Sequence, residues 1–391
     1  MIPRRKIPID PHDISEWINE FYTTSNTDVH NFESAFKQYM GCQYAIATTS
    51  GRDALELALD AIHIQSDDEI IIPAYTLGEL LPLINATLVP ADIEKDTFNI
   101  NPNDIQRKIT NKTKAILATH LFGAPCDIET ICQLANEKNI AVIEDCAHAA
   151  GASVSGKKAG SFGHAAIFSL EVNKAVSTYG GGILTTNEKK IADVVTTRIS
   201  NRKHKPVPAL RKAFITWMEE MVIRSPLYAP LARILFSDQI SKQFENFYRG
   251  THNRVRTDKV AYSNFQARIG MKRLSKLDRR NYQLNRRWNQ LASALPKEFI
   301  PQNRIRCGNP SFYNFVCLYN KDVKIFRRKF SHMGIDVGIN SEVMDDCARL
   351  LDKNDCPVAN YVHRHAVLFP LYESMTEKEF YRLLAALEKA S

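Results

Sequence analysis

Residues 140–145 read Ile-Ala-Val-Ile-Glu-Asp, a short apolar run that ends in two acids. The apolar part, 140–143, does not alternate with polar residues and contains β-branched side chains, which is typical of a strand buried on both faces. Six similar runs lie on either side of it, at 44–48, 69–73, 87–90, 115–119, 165–169 and 182–185. Because such strands occur in parallel sheets flanked by helices, the pattern predicts an α/β domain with a mostly parallel central sheet between two helical layers.

Helical patterns separate the predicted strands, at 53–62, 103–109 and 127–138. Asn101 or Asn103 is the candidate N-cap of the second of these helices, and Asp127 is that of the third. The alternation runs from residue 44 to residue 186 and predicts one large domain. Ligands of such domains bind at the carboxyl ends of the strands, so the residues just after each strand are the candidates for chemistry.

The chain divides into four parts by composition and patterning. An N-terminal arm (1–30) precedes the large domain (31–200), and an inserted amphipathic helical segment follows (201–256). Residues 257–391 begin with a long basic helix at 266–291 and end in a smaller C-terminal α/β domain. The elements predicted in that domain are a strand at 313–318 and helices at 323–333 and 376–390.

The stretch 213–236 of the inserted segment is rich in aromatic and apolar residues, interrupted by charged ones. Two interpretations are open. It forms a lid or a pair of helices at a subunit contact, or it touches a membrane surface or a lipid substrate.

The composition is that of an ordinary globular protein without disulfide bonds. Its 51 basic and 43 acidic side chains give a net charge of +8, which suits an anionic small substrate as well as nucleic acid. The eight cysteines lack the spacing of zinc sites, so we expect reduced thiols and no metal. No apolar leader or membrane-spanning run is present, which predicts a cytoplasmic protein. The basic clusters match no nucleic-acid-binding motif, so no nucleic-acid partner is expected.

Two polar groups that follow predicted strands suit a pyridine cofactor. Asp145 lies where a buried carboxylate needs a cation or a proton as its partner. Lys174 follows the strand at 165–169 and can project into the same cleft, where desolvation lowers its pKa enough for Schiff-base chemistry. A protonated pyridine nitrogen would partner Asp145. Each residue alone also has a plain interpretation, Asp145 as a helix cap and Lys174 as a solvated surface charge.

Other residues after the strands suit a phosphate and an aromatic ring. Backbone N–H groups at Ser50-Gly51-Arg52 begin the helix 53–62 and form an anion cup, which lacks the spacing of a nucleotide-binding loop and therefore suits a single phosphate. The Ser169 hydroxyl suits that phosphate or a local backbone group. Tyr75 suits a ring contact or core packing. Together these segments predict a site for pyridoxal 5′-phosphate (PLP).

At these same places the sequence resembles the DegT/DnrJ/EryC/StrS sugar aminotransferases, PLP enzymes of aspartate aminotransferase fold type I. The resemblance extends from about residue 32 to the C-terminal helix. It is densest in seven motifs, namely 49–55, 72–76, 91–94, 120–127, 144–152, 168–174 and 178–182. It implies a three-layer αβα fold with a mostly parallel sheet and a smaller C-terminal α/β domain.

The resemblance implies roles for the candidate residues. Lys174 would form the Schiff base with the cofactor, Asp145 would pair with its pyridinium nitrogen, and His148 would contact the ring or its phenolic oxygen. The residues implied to hold the phosphate, together with the neighbouring Ser50, are Gly51, Arg52 and Ser169.

The resemblance also implies a homodimer, because the family's sites lie at a dimer interface. The asparagine that relatives contribute from the neighbouring subunit is absent here. Lys259 or Asn264 is the candidate to reach the other subunit's phosphate in its place.

The sequence departs from the pattern of the family at two further places, one implied to contact the cofactor ring and the other implied to contact the substrate. Leu77 stands where many relatives place a stacking aromatic ring, so Tyr75 or His148 is the candidate for that face. Residues 338–342 read Gly-Ile-Asn-Ser-Glu where relatives carry a His-Tyr-Pro-like substrate segment.

The predicted function is transfer of an amino group from L-glutamate to a keto-sugar, nucleotide-linked, in the biosynthesis of surface polysaccharide or of an amino sugar. Lys174 is retained where a dehydrating branch of the family has histidine, which favours transamination. Two alternatives stay open: a PLP enzyme of another reaction type, and a non-catalytic regulatory or sugar-sensing homologue.

Overall fold

The apolar runs form a central sheet, as their residues predict. The computed structural model describes residues 1–22, 27–225, 228, 230 and 259–389. Seven strands make the sheet of the large domain, and their bounds are β1 Tyr44–Thr48, β2 Glu69–Pro73, β3 Thr87–Ala91, β4 Thr113–Thr119, β5 Ala141–Asp145, β6 Ala165–Ser169 and β7 Gly182–Thr186. Their order is β1-β7-β6-β5-β4-β2-β3. Six of these strands run in the same direction and β7 runs opposite to them. The prediction of a mostly parallel α/β sheet is therefore confirmed.

Helices cover both faces of this sheet, and short polar caps begin several of them. The helices up to residue 224 are α1 Pro11–Asn19, α2 Thr27–Met40, α3 Gly51–Ala61, α4 Pro102–Lys108, α5 Ile128–Glu137, α6 Lys189–Ser200 and α7 Val207–Arg224. Asn101, not Asn103, caps α4 by accepting from the Asn103 N–H, and Asp127 caps α5. Short 3₁₀ turns lie at Gly78–Leu83 and Leu121–Gly123. Two-residue strands lie at Tyr75–Thr76, Ser153–Val154 and Lys157–Lys158.

The long helix expected at 266–291 is wrong, because the structure has two helices there, α8 Asn264–Ser275 and α9 Leu277–Ser293. The second helix contributes to two cores. Its first residue, Leu277, packs with Leu274 of α8 in the large-domain cluster around Phe32, whereas Trp288 and Leu291 pack in the C-terminal domain. The segment 264–293 thus buries apolar residues in both domains.

The C-terminal domain has its own antiparallel sheet and its own apolar core. Its strands are β8 Phe299–Pro301, β9 Phe315–Tyr319, β10 Gly338–Ile339 and β11 Ala366–Phe369, in the order β8-β9-β11-β10. Its helices are α10 Val323–His332, α11 Cys347–Leu350, α12 Pro357–His365 and α13 Glu377–Glu388. Shorter elements are the strands Gly308–Asn309 and Asp345–Asp346 and the 3₁₀ turn Asn340–Glu342. The strand expected at 313–318 begins two residues later, at Phe315.

The N-terminal arm ties the C-terminal domain to α7. The Ile2 N–H donates to the Gly334 carbonyl at 2.7 Å. Farther along, the Ile7 N–H donates to Glu220 Oε1 of α7 at 2.9 Å. Most of the stretch 213–236 beyond α7 lies outside the described residues. In the part of the chain that is described, no helix is both long enough and apolar enough to cross a bilayer.

A methyl group at Gly182 should destabilise the large domain. An added Cβ there would lie 2.4 Å from the Ser50 carbonyl carbon and 2.5 Å from the Gly51 nitrogen, both backbone atoms that cannot rotate away. We expect Gly182→Ala to lose about 1–3 kcal/mol of stability, the usual cost of overpacking, and to lower the thermal unfolding midpoint.

The matched control is Gly156→Ala. Gly156 has a φ of +82° and open space around it, so only the backbone term of about 1 kcal/mol applies. A Gly182→Ala protein that melts at or above the control would contradict the close approach.

Candidate active site

A large cleft opens at the carboxyl ends of the strands. Its volume is about 1390 Å³, and the strand-end turns, the N-terminal arm, α7, α9 and the C-terminal domain contribute to its wall. Eight of the residues singled out in the sequence line it, namely Ser50, Gly51, Arg52, Asp145, His148, Ser169, Lys174 and Lys259. They come together because β1, β5 and β6 run in the same direction and end at the same edge of the sheet.

Lys174 lies in the turn that follows β6, where its N–H donates to the Glu171 carbonyl at 2.9 Å. Its Nζ lies 4.6 Å from the centre of the Tyr313 ring. Burial lowers the pKa of Lys174 from 10.5 to about 8, although the negative charges of Asp145 and Glu171 act in the opposite direction. Near neutral pH a substantial share of this amine is therefore unprotonated and can attack a carbonyl carbon.

Asp145 ends β5 and is 5% exposed. Its Oδ1 accepts from the Ala147 N–H at 2.9 Å. Burial raises the pKa of Asp145 above its ordinary value, while the Ala147 N–H and the charge of Lys174 act to lower it. No ion pair of Asp145 is found among the described residues, so the carboxylate is compensated only in part. A cationic N–H donor placed at its free oxygen would complete the compensation.

The neighbouring acid, Glu144, is fully buried and serves the scaffold. Its Oε1 accepts from the N–H groups of Phe162 and Gly163, each at 2.7 Å. Its Oε2 accepts from the Gly160 N–H at 2.7 Å and lies 3.0 Å from His120 Nε2. Since His120 Nδ1 accepts from the Cys126 N–H, Nε2 carries the hydrogen and donates to Glu144. Cys146 Sγ lies within 4.8 Å of the His120 ring nitrogen and the Glu144 carboxylate, as the ligands of a metal ion would. Both ring nitrogens of His120 are, however, already used in the hydrogen bonds described above.

The beginning of α3 forms the predicted anion cup. Ser50 caps the helix by accepting from the Asp53 N–H at 3.1 Å, which leaves the first N–H groups of the helix without partners inside the helix. A Cβ on Gly51 would lie 3.0 Å from Ser169 Cβ, so glycine permits the close approach between α3 and the end of β6. The Arg52 guanidinium at this cup pairs with Glu79.

His148 forms part of an aromatic stack beside Lys174. Its ring lies 4.3 Å from that of Tyr313 and 6.0 Å from that of Phe122, and both pairs are within 13° of parallel. Burial, and then the charge of Lys174, lower the pKa of His148 well below its ordinary value of 6.5. The imidazole is therefore neutral and presents a flat face rather than a charge.

Two predicted site residues lie outside the cleft wall. Tyr75 is completely buried and packs edge-to-face on Phe122 at 6.5 Å, in agreement with its alternative interpretation as core. Asn264 is buried as the first residue of α8. Lys259 does line the cleft, where its Nζ pairs with Glu56 at 2.5 Å and lies 3.7 Å from Asp53.

The structure adds residues that the sequence did not reveal. Tyr313 and Arg280 reach the cleft from distant parts of the chain, and no local motif marks either of them. Arg202 donates hydrogen bonds of 2.5 and 2.8 Å to the two carboxylate oxygens of Asp53 and thereby stabilises the first turn of α3. An acidic residue in the first turn of a helix is already favoured by the helix dipole, so Asp53 did not by itself indicate a basic partner.

The arrangement suits condensation of an amine with an aldehyde that carries a phosphate. The pieces are an amine with a pKa of about 8, a buried carboxylate that lacks an ion pair among the described residues, and an anion cup. Glycine at position 51 lets Ser169 lie close to the beginning of α3, so the Ser169 side chain and the first N–H groups of the helix suit one phosphate. These residues therefore fit pyridoxal phosphate.

Comparison with known proteins agrees with this fit. Residues 12–388 match the DegT/DnrJ/EryC1/StrS aminotransferase family. The chain is similar to the GDP-perosamine synthase of Escherichia coli O157:H7, with 39% identity over 186 residues, which is 46% of this chain and 51% of that protein. It is also similar to the dTDP-3-amino-3,6-dideoxy-alpha-D-galactopyranose transaminase of Aneurinibacillus thermoaerophilus, with 37% identity over 198 residues, 50% of this chain and 54% of that one. The chain thus spans about half the length of the curated relatives it matches.

Among solved structures, an aminotransferase from Psychrobacter cryohalolentis has the same fold. The TM-score is 0.79 at 21% identity, and the alignment covers 99% of this chain and 98% of that one. The likeness extends over both domains and supports fold type I for the whole described chain.

The reactivity of Lys174 should follow its lowered pKa. In the protein without cofactor, we expect labelling of Lys174 by an amine-reactive reagent to rise with pH around a midpoint of about 8, well below the ordinary 10.5. Asp145→Asn should shift this midpoint to still lower pH, because it removes a negative charge that favours the protonated amine. Peptide mass spectrometry of the labelled protein measures both profiles.

The exposed Lys189 serves as the internal control, because it is labelled in the same samples. A midpoint for Lys174 near that of Lys189 would contradict the effect of burial. A midpoint that rises in Asp145→Asn would contradict the coupling of the two residues.

Proposed function

This chain belongs to the DegT/DnrJ/EryC1/StrS aminotransferase family, and on that premise we propose that it transfers an amino group from L-glutamate to a nucleotide-linked keto-sugar with pyridoxal 5′-phosphate as cofactor. The observation that carries the proposal is that an amine and a carboxylate line one cleft. Burial favours the neutral form of the Lys174 amine, and it makes a cationic partner for the Asp145 carboxylate favourable. An amine that must alternate between bonding and proton transfer needs such a pKa.

The cleft residues divide the work of holding the cofactor. The first N–H groups of α3, the Ser169 hydroxyl and the Arg52 guanidinium would hold the phosphate, the last by sharing its pairing with Glu79. Asp145 would accept from the protonated ring nitrogen, and the flat, neutral ring of His148 would contact the pyridine. When bound, pyridoxal phosphate supplies the electron sink and the temporary carrier of the amino group.

The Nζ atom of Lys174 would have two tasks, binding the cofactor and transferring a proton. This atom would hold the cofactor in the resting protein and, with the amino donor bound, would take the proton from the α-carbon of the donor. With a pKa of about 8, the same Nζ can hold that proton and release it again near neutral pH. In the second half of the reaction Lys174 returns a proton to the sugar carbon that receives the nitrogen. Asp145 keeps the ring nitrogen protonated through both halves.

The substrate class is proposed from the cleft and from the relatives. The cleft of about 1390 Å³ exceeds the needs of an amino acid alone. Basic side chains along its wall suit a diphosphate, among them Arg5, Lys205, Arg211 and Lys212. The two relatives are named for a GDP-linked and a dTDP-linked sugar. We place the reaction in the cytoplasm, in the biosynthesis of amino sugars for polysaccharide or lipopolysaccharide, with no role for nucleic acid.

We also propose a homodimer with a shared active site. Lys259 supports this, because its side chain is 52% exposed at the edge of the cleft. The apolar side chains that α7 exposes, Phe214, Met218 and Met221, are compatible with the subunit-contact interpretation of the stretch 213–236. In this arrangement Lys259 reaches the partner's cofactor phosphate.

The role of Lys174 can be tested with cofactor-loaded protein. We expect Lys174→Ala to abolish both the near-visible absorbance of the bound cofactor and turnover, because the covalent link and the proton carrier are lost together. Asp145→Asn should retain cofactor weakly and lose most activity, since a neutral amide does not hold the ring proton. Absorbance spectra and amino transfer from L-glutamate to a nucleotide-linked keto-sugar measure the two effects.

Lys189→Ala, which removes an exposed lysine, is the matched control and should behave like the wild type. An active Lys174→Ala protein would contradict the proposal. A wild type whose spectrum does not respond to L-glutamate would favour the regulatory or sugar-sensing alternative instead.

The shared site can be tested by mixing two defective subunits. We expect Lys174→Ala and Lys259→Ala homodimers to be inactive and weakly active, respectively. A mixed dimer should regain one working site, because one of its two clefts then contains both an intact Lys174 and an intact Lys259 from the other chain. Ultracentrifugation at the assay concentration verifies the assembly. Failure of the mixture to regain activity, or an active wild-type monomer, would contradict sharing.

A further inference from the structure

Arg280, on α9, is a buried guanidinium in the cleft that the reaction described above does not use. Its side chain is 12% exposed. One of its nitrogens, Nη1, donates to Asn281 Oδ1 at 2.9 Å. Among the described residues its ion-pair partner is Glu373, whose carboxylate lies 3.5 Å from Nε and whose side chain is 44% exposed. We propose that Arg280 binds a carboxylate of the amino donor, an inference that rests on the proposed aminotransferase function.

Two other cleft cations, Arg273 and Lys212, are held more firmly than Arg280. Arg273 donates to Asp13 at 2.5 Å, and Asp13 is almost completely buried. Lys212 pairs with Glu171 at 2.5 Å. A buried cation is costly unless charges and hydrogen bonds compensate it, and a half-exposed carboxylate at 3.5 Å compensates little. In agreement, burial outweighs the charges of Glu373 and Tyr313 and lowers the pKa of Arg280 below its ordinary value.

The position of Arg280 fits a ligand that reacts at Lys174. Arg280, Tyr313 and Lys174 line the same cleft, and the centre of the Tyr313 ring lies 4.6 Å from Lys174 Nζ. A ligand in this cleft can therefore contact Arg280 while it reacts at Lys174. The donor's nitrogen takes the place of Lys174 Nζ in the reaction, and the α-carboxylate of an amino acid is only two bonds from that nitrogen. A sugar diphosphate would have to lie farther away, beyond the sugar ring.

The chemistry of the group also fits a carboxylate. A guanidinium is planar and presents parallel N–H donors, which match the two oxygens of a carboxylate. Asn281 orients this donor, because its amide nitrogen donates to the Ala150 carbonyl at 3.0 Å while its oxygen accepts from Arg280. The donor's carboxylate would replace Glu373, the weak counter-charge, and would supply the missing compensation.

The test compares Arg280→Gln with Arg279→Gln, which removes the exposed arginine one position earlier on α9. Calorimetry measures binding of 2-oxoglutarate, the keto product of L-glutamate, and of GDP and dTDP to the cofactor-loaded protein. We expect Arg280→Gln to weaken 2-oxoglutarate binding by about 10- to 100-fold, the range for a lost charge-assisted pair of hydrogen bonds. Binding of GDP or dTDP should be unchanged, and Arg279→Gln should bind all three like the wild type.

Arg280→Lys guards against a merely structural effect, since it keeps the charge and should recover part of the 2-oxoglutarate affinity. Unchanged 2-oxoglutarate binding in Arg280→Gln would overturn the inference. So would a loss confined to GDP or dTDP, which would assign Arg280 to the sugar diphosphate. The proposed function fails separately, in a wild-type protein whose cofactor absorbance does not respond to L-glutamate.

Discussion

The hydrogen bonds of the buried Glu144 carboxylate are the constraint on which the active-site edge depends. One side chain satisfies three backbone N–H groups of the turn at 160–163 and the Nε2–H of His120. Each of these donors would cost about 1–3 kcal/mol if it were left buried without an acceptor. Because successive strand residues point to opposite faces, fixing Glu144 also fixes the direction of Asp145. The acid pair at the end of β5 thus divides its work, one residue for the scaffold and the other for chemistry.

Burial shifts the pKa values of the acidic and the basic groups of the cleft in opposite directions. Burial lowers the pKa of Lys174 and raises that of Asp145, so each group is less charged than it would be in water. The neighbouring His148 is neutral for the same reason. The centre of the cleft is therefore short of compensating charge, whereas its margin carries firmly paired ions such as Arg202 with Asp53.

Several elements follow from local sequence alone, because their causes are local. The seven apolar runs predicted the strands to within a few residues, and Asp127 predicted the start of α5. Lys174 and Asp145 were also found locally, since each follows a strand whose end must lie at the ligand-binding edge of a parallel sheet. The boundary between α8 and α9 could not be predicted from the local sequence. The helical pattern of 266–291 continues through Lys276, so it does not show that one helix ends at Ser275 and the next begins at Leu277.

The sequence by itself therefore determined the mostly parallel sheet and the strand-end residues of the cleft, because hydrophobic periodicity and strand direction act over a few residues. Only the tertiary structure decided which of the remaining candidates reach the cleft. Tyr75 packs in the core, whereas Tyr313 and Arg280 arrive from the C-terminal domain and α9. These placements depend on how the two domains pack together, and the contacts responsible join residues far apart in the chain. No pattern within one segment carries that information.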